Sequence, residues 1–185
     1  MSPSFENITA GRDFVGNDKI DNHILPKPTQ IDKLNELYKQ EIIDDNKITT
    51  VIDELHHYNS NTKCKKDLST ILCEAGFEYI IDEAIELKEL ISKMIIKHQN
   101  YRSAQKIITY ILSEVESIFI SKIKPKLPTI KDEIRLKKIL RIYLENEIKD
   151  QLGENVLEIY NRQINGMMYF LTGNCHIQWK NDAVV

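Results

Sequence analysis

From Thr29 to Thr172 the hydrophobic positions recur at three- and four-residue steps, as one buried helical face requires, and no convincing period-two run interrupts them. Ile31, Leu34, Leu37, Tyr38 and Ile42 mark a first helix that Thr29 can cap and that ends near Asp44, Asp45 and Asn46. Ile48, Val51, Ile52, Leu55 and Tyr58 share the face of a second, closed by Asn59, Ser60 and Asn61. Leu68, Ile71, Leu72 and Ala75 predict a short third helix broken at Gly76, and Ile80, Ala84, Leu87, Ile91, Met94 and Ile95 a sustained stripe to about Gln99. After a turn at Asn100, Tyr101 and Arg102, Ser103 caps a helix whose wide face runs from Ala104 through Ile108, Ile111 and Val115 to Phe119. So short a connection predicts that these two helices form the central antiparallel pair. Pro125 and Pro128 bracket a rigid loop, because each fixes its own φ and restricts the residue before it. Thr129 and Asp132 then stand at capping-box spacing before a helix presenting Leu136, Ile139, Leu140, Tyr143 and Leu144, ended by Gly153.

The rule changes near the C-terminus. Ile164, Met167, Met168 and Leu171 keep helical spacing, whereas Cys175, Ile177 and Trp179 alternate with His176 and Gln178 as a half-buried extended segment would. Gly173 is the expected pivot, taking the left-handed conformation that ends a helix, with Asn174 the next most tolerant residue. The tail carries the only tryptophan, whose large contact area suits it to pin the segment to the core. Gly166, Gly173, Asn174, Cys175, His176 and Trp179 are thus assigned a structural role. The expected fold is an all-α compact bundle of about six to seven helices over residues 29–185, ending in an extended tail.

Residues 1–28 read differently. Phe5, Ala10, Val15, Ile20 and Leu25 recur every five positions among turn-forming Gly, Asp and Asn, and GRDF and GNDK repeat at that interval. The period fits either short β-solenoid-like units that need a partner or self-association for order, or a flexible polar arm. Pro26 and Pro28 mark its boundary with the helical body.

Composition narrows the class. The 185 residues are 42% hydrophobic and 29% charged, ordinary for one globular domain. No apolar run approaches the roughly 20 residues of a membrane span, and the N-terminus lacks the features of a signal peptide, so a cytoplasmic chain with no membrane contact is expected. Cys64, Cys73 and Cys175 are sparse and unpaired in spacing, which predicts reduced, buried thiols. The net charge of −3 argues against bulk binding of nucleic acid, yet residues 122–141 hold eight basic residues against Asp132 and Glu133, a local balance of +6. Within it Lys131, Arg135, Lys138 and Arg141 follow one helical stripe, suited to a phosphate or to a protein partner, with an ordinary solvated face as the simplest reading.

Candidate chemistry is thin. His56 and His57 are adjacent and point about 100° apart on a helix, so they cannot share a metal as an i, i+4 pair can. Cys175 and His176 alternate sides, and only His57 or His98 arriving from elsewhere would give the thiol a base. Asp82, Glu83, Glu86 and Glu89 sit among Lys88 and Lys93, which suits a salt-bridged solvated face. Nucleotide-binding and zinc-hydrolase motifs are absent. No catalytic residue, metal or cofactor is expected.

The closing run GMMYFLTGNCHIQW, with IDELHHY, DEAIELKELI and LGEN before it, resembles the C-terminal domain of effector or signalling components in bacterial ABC-three-component systems. Such systems pair an ABC ATPase, a small middle component and an effector, and are regarded as antiphage or anti-plasmid defence. In the family this domain is usually fused to a nuclease, protease or other effector; residues 1–28 do not read as such a module, so an inherited enzymatic activity is not expected. ITAGRDFVGNDKI is also similar to GD-rich leader repeats of bacterial conflict proteins. Together the resemblances imply a non-catalytic coupling, sensor or adaptor subunit that binds the ATPase or middle component, with an N-terminal arm that forms a homo-oligomer or tethers a separately supplied effector. The alternative from the residues alone is a small nucleic-acid-binding protein using the 122–141 face.

Overall fold

The computed structural model describes residues 29–60 and 66–180. The arm at Phe5, Ala10, Val15, Ile20 and Leu25 lies outside them. Every regular element among the described residues is helical: α1 (Gln30–Ile43), α2 (Asp53–Asn59), α3 (Leu68–Glu74), α4 (Ile81–His98), α5 (Arg102–Ile118), α6 (Glu133–Leu140), α7 (Asn146–Lys149) and α8 (Asn161–Gly173). A π turn, Arg141–Glu145, joins α6 to α7 as one rod. The described chain is therefore an all-α bundle of seven helical rods, as the pattern predicts.

Helix α8 sits innermost. Ile164 and every residue from Gly166 to Gly173 are buried, which is the profile of a helix with neighbours on all sides rather than on one stripe. It packs against α4 above all, and also against α5 and α3. The predicted α4–α5 pairing is thereby corrected. The turn between them is short, but α4 packs chiefly on α8 and α5 chiefly on α1, because α8 wedges in where two backbones can approach closely. Gly166 makes that approach possible: a Cβ there would stand 2.7 Å from the Leu87 carbonyl oxygen and 2.8 Å from Ile91 Cγ1.

Local capping follows the sequence at two helices and departs from it at two. Thr29 caps α1 through a capping box with Asp32, and the Thr29 hydroxyl beside its carboxyl holds Asp32 below the usual carboxylate range. Gly76 takes φ +82° after α3, the left-handed geometry that a Cβ disfavours. At α6, however, Asp132 is the N-cap, accepting from the Arg135 amide, while Thr129 donates its hydroxyl to the Lys126 carbonyl and closes a 3₁₀ turn, Lys124–Thr129. At α5, Ser103 does not cap its own helix. Its amide and hydroxyl both donate to the Glu41 carboxylate of α1, at 3.1 and 2.5 Å, so a negative charge from another helix meets the orphan donors of the N-terminus.

Three further expectations move. Residues 48–52 are not helical, since Ile52 precedes Asp53 as N-cap and the Ile48 amide donates to Asn100. Gln105, fully buried, fixes that segment: it accepts from the Ile52 amide at 2.7 Å and donates to the Thr50 and Gln99 carbonyls. Leu37 and Ile42 are exposed, because α1 buries Ile31, Leu34, Asn35 and Tyr38 and seats Asn35 on the Leu152 carbonyl. The rod after α6 ends at Lys149, before Gly153.

Candidate functional site

The C-terminal segment docks as a strap, by a route that differs from the predicted one. Gly173 is the last helical residue and Asn174 the C-cap; the left-handed residue is Cys175, at φ +65°. The His176 amide reaches back to the Leu171 carbonyl and the Cys175 amide to Thr172, at 2.9 and 3.0 Å, the paired bonds of a Schellman closure. Gly173 is small for another reason: the Lys88 side chain crosses it, within 2.6 Å of where a Cβ would stand. Asn174 donates to the Tyr58 carbonyl, tying α2 to this closure.

Beyond it Ile177 and Trp179 turn inward while Gln178 faces solvent. Trp179 is 2% exposed and meets Phe77, Phe119 and Tyr169, with ring centroids 5.0, 5.3 and 6.2 Å away. Its indole N–H donates to the Thr172 hydroxyl, which donates in turn to the Met168 carbonyl. Burial among these rings pushes the Tyr169 hydroxyl well above the ordinary phenol range, with Glu83 and Glu133 adding to the effect. Trp179 is thereby packed into the core among these rings.

The cysteine expectation is overturned. Cys175 is disulfide-bonded, Cys73 is free but exposed, and Cys64 lies outside the described residues. His176 leaves the predicted alternation and packs edge-on against His57 and Tyr58, at 4.9 and 5.1 Å. The sulfur beside this cluster is thus held in a disulfide instead of standing as a thiolate. His98 is remote from it, buried and 2.9 Å from the Tyr38 hydroxyl, and burial lowers its affinity for a proton. Three of the four α4 carboxylates have partners: Glu83 with Lys137, Glu86 with Arg162, Glu89 with Lys93. Among the described residues no group of three or more His, Cys, Asp or Glu side chains could hold a metal ion. No helix there is long and apolar enough to cross a membrane.

The basic stripe is the remaining candidate. Lys131, Arg135, Lys138 and Arg141 are all exposed, but the structure divides them. Arg135 and Lys138 rim a groove of about 220 Å³ between α6 and the 3₁₀ turn, together with Lys126 and Thr129, while Ile139, Ile142 and Tyr143 form its lining. Lys131 and Arg141 lie on the same rod outside that lining. Sequence reasoning placed Lys126 only in the broad 122–141 face, gave Thr129 to a helix cap and Tyr143 to the core, and did not bring the three to one groove. Their signal was the KPKLP run, whose two prolines fix a turn that folds back on α6, but the lysine that returns is not readable from spacing. Lys126 is set by that turn, with its ammonium 4.6 Å from the centre of the Tyr143 ring, close enough for a cation–π contact.

Charge pairing is uneven over the described surface. Lys39, Lys122, Lys137 and Arg162 each meet a carboxylate on another element, as do Lys66 and Lys180 at Glu74. Lys126, Arg135 and Lys138 form no ion pair with any described residue. Converged like charges repel, so the groove favours an anion.

Comparison with curated proteins and with solved structures gave no match. Residues 67–179, which run from the cap of α3 to Trp179 and span more than half of the chain, match the family model described as C-terminal domain 9 of the ABC-three component (ABC-3C) systems, and the chain belongs to that family.

Proposed function

We propose that this chain is a non-catalytic coupling subunit, a sensor or adaptor, of a bacterial antiphage ABC-three-component assembly. The helical body binds the ABC ATPase or the middle component, and the N-terminal arm with Phe5, Ala10, Val15, Ile20 and Leu25 self-associates or tethers a separate effector. The observation that carries this reading is the extent of the family match, from the start of α3 to the strap, so that the matched unit is a folded body with its closure. The chemistry of that body supports it. Its most elaborate polar arrangements are structural: Gln105 fastens the 48–52 segment to the start of α5, and Ser103 fastens α5 to Glu41 of α1. Signalling through such a body requires population shift: the partner must contact two assembly states unequally, or binding transmits nothing.

The test is co-expression with the ATPase and middle component of the same system, followed by affinity purification and mass measurement by light scattering. Stable co-elution with either component is expected. Separate elution of both, at concentrations where each is folded, overturns the coupling reading. A chain starting at Thr29 should still bind while losing self-association; if the full chain is already monomeric, the oligomerising role of the arm is wrong.

A further inference from the structure

We infer that the groove between α6 and the Lys124–Thr129 turn is the surface that receives the partner, and that the partner's docking element is an acidic polypeptide segment carrying an apolar anchor. This rests on the coupling reading, and names the place and chemistry of the contact.

Three observations converge on it. The rim brings Lys126, Arg135 and Lys138 together with no carboxylate among the lining residues and no ion pair to any described residue. Holding these charges together without a counter-ion is unfavourable, and an incoming carboxylate relieves it; the Arg135 fork can accept one in two parallel hydrogen bonds. The lining is apolar, with Ile139, Ile142 and the Tyr143 ring. Beside it the same rod exposes Ile134, at 83%, and leaves Ile142 48% exposed. Ile134, Lys138 and Ile142 are four residues apart, so a β-branched apolar side chain, a cation and another apolar side chain rise on one face.

That alternation selects the occupant. A phosphate backbone is met by cations and polar donors and gains nothing from a 83%-exposed isoleucine. A polypeptide with one carboxylate per turn and an apolar side chain between them satisfies both sets. The volume agrees: about 220 Å³ is below the roughly 300–1,000 Å³ of small-molecule sites and suits one or two anchoring side chains. Lys126, held over Tyr143, is already positioned and has less freedom to lose on binding.

The experiment measures binding of the full-length chain to the purified ATPase and to the purified middle component at low and high salt. The variants are Arg135→Glu with Lys138→Glu, Ile134→Asp, and Lys149→Glu as an exposed charge reversal outside the groove, each checked by circular dichroism melting. A fluorescent single-stranded oligothymidine and a short duplex are titrated in parallel. We expect wild type to bind one component with affinity falling as salt rises, the double reversal and Ile134→Asp each to weaken it at least tenfold, and Lys149→Glu to leave it within twofold. If folded Arg135→Glu/Lys138→Glu binds as wild type does, the groove is not the docking surface and the coupling reading stands. If wild type binds neither component, both fall. Oligonucleotide binding that the double reversal abolishes, with component binding intact, overturns the inference in favour of nucleic acid.

Discussion

Replacing Gly166 by alanine tests the packing that makes α8 the centre of the bundle. The added methyl would stand 2.7 Å from the Leu87 carbonyl oxygen and 2.8 Å from Ile91 Cγ1, where ordinary contact begins at 3.4 Å. The nearer atom is backbone and cannot swing aside, so α4 and α8 must separate by about 0.7 Å at their crossing, loosening the dense contacts around it. Overpacking costs about 1–3 kcal/mol, and a contact under 3.0 Å against backbone belongs at about 2–3 kcal/mol of that range, against a helix-propensity gain of about 1 kcal/mol for Gly to Ala. The net expectation is a loss of about 1–2 kcal/mol. For a chain of this size that lowers the melting temperature by roughly 2–8 °C. The assay is guanidinium unfolding followed by far-ultraviolet circular dichroism, with an unchanged slope and an earlier midpoint. Gly173→Ala is the matched control: its methyl meets only the end of the flexible Lys88 side chain, so stability should stay within about 0.5 kcal/mol of wild type. A Gly166→Ala protein as stable as wild type would refute the close crossing.

Three further outcomes follow from the strap and the buried histidine. Trp179→Ala removes a side chain packed on Phe77, Phe119 and Tyr169 and should cost about 3–5 kcal/mol in chemical unfolding; a loss under 1 kcal/mol would mean the strap is not docked. Cys175→Gly should change sign with redox state. In reducing buffer glycine relieves the left-handed strain and stabilises by up to about 1 kcal/mol, whereas in oxidising buffer the lost disulfide costs about 2–4 kcal/mol, and equal melting shifts in the two buffers would contradict the geometry. His98 has its folded pKa depressed, chiefly by burial, so the unfolded chain takes up protons first. Its contribution is present above the unfolded value of about 6.5 and is lost as pH falls from there towards the lower folded value. Urea midpoints should therefore decline between pH 7.5 and 5.5 in wild type and decline less in His98→Gln; parallel slopes would exclude His98 as the cause.

The long elements were legible because their burial is periodic. Stripes such as Ile80 to Ile95 and Ala104 to Phe119 leave one helical solution, and Thr29 and Gly76 announce their turns through local chemistry. What sequence spacing did not reveal is set by contacts between distant positions. Ser103 is a cap residue by type, but Glu41, 62 positions earlier, takes its donors. Gly173 is the natural left-handed residue, yet the closure places Cys175 there, where a disulfide holds it. Helices α4 and α5 look like partners from their short turn, and Gly166 decides otherwise from 80 residues away. The basic stripe was visible; the groove was not, because Lys126 joins it through a proline-fixed turn and Glu83 withdraws Lys137 from the same rod.

The coupling account is tested most directly by amide hydrogen exchange of the full chain, alone and mixed with the ATPase or the middle component of its system. Slower exchange on mixing, concentrated in residues 124–145 around the groove, is the predicted result. Identical exchange throughout the chain with either component in excess would contradict it.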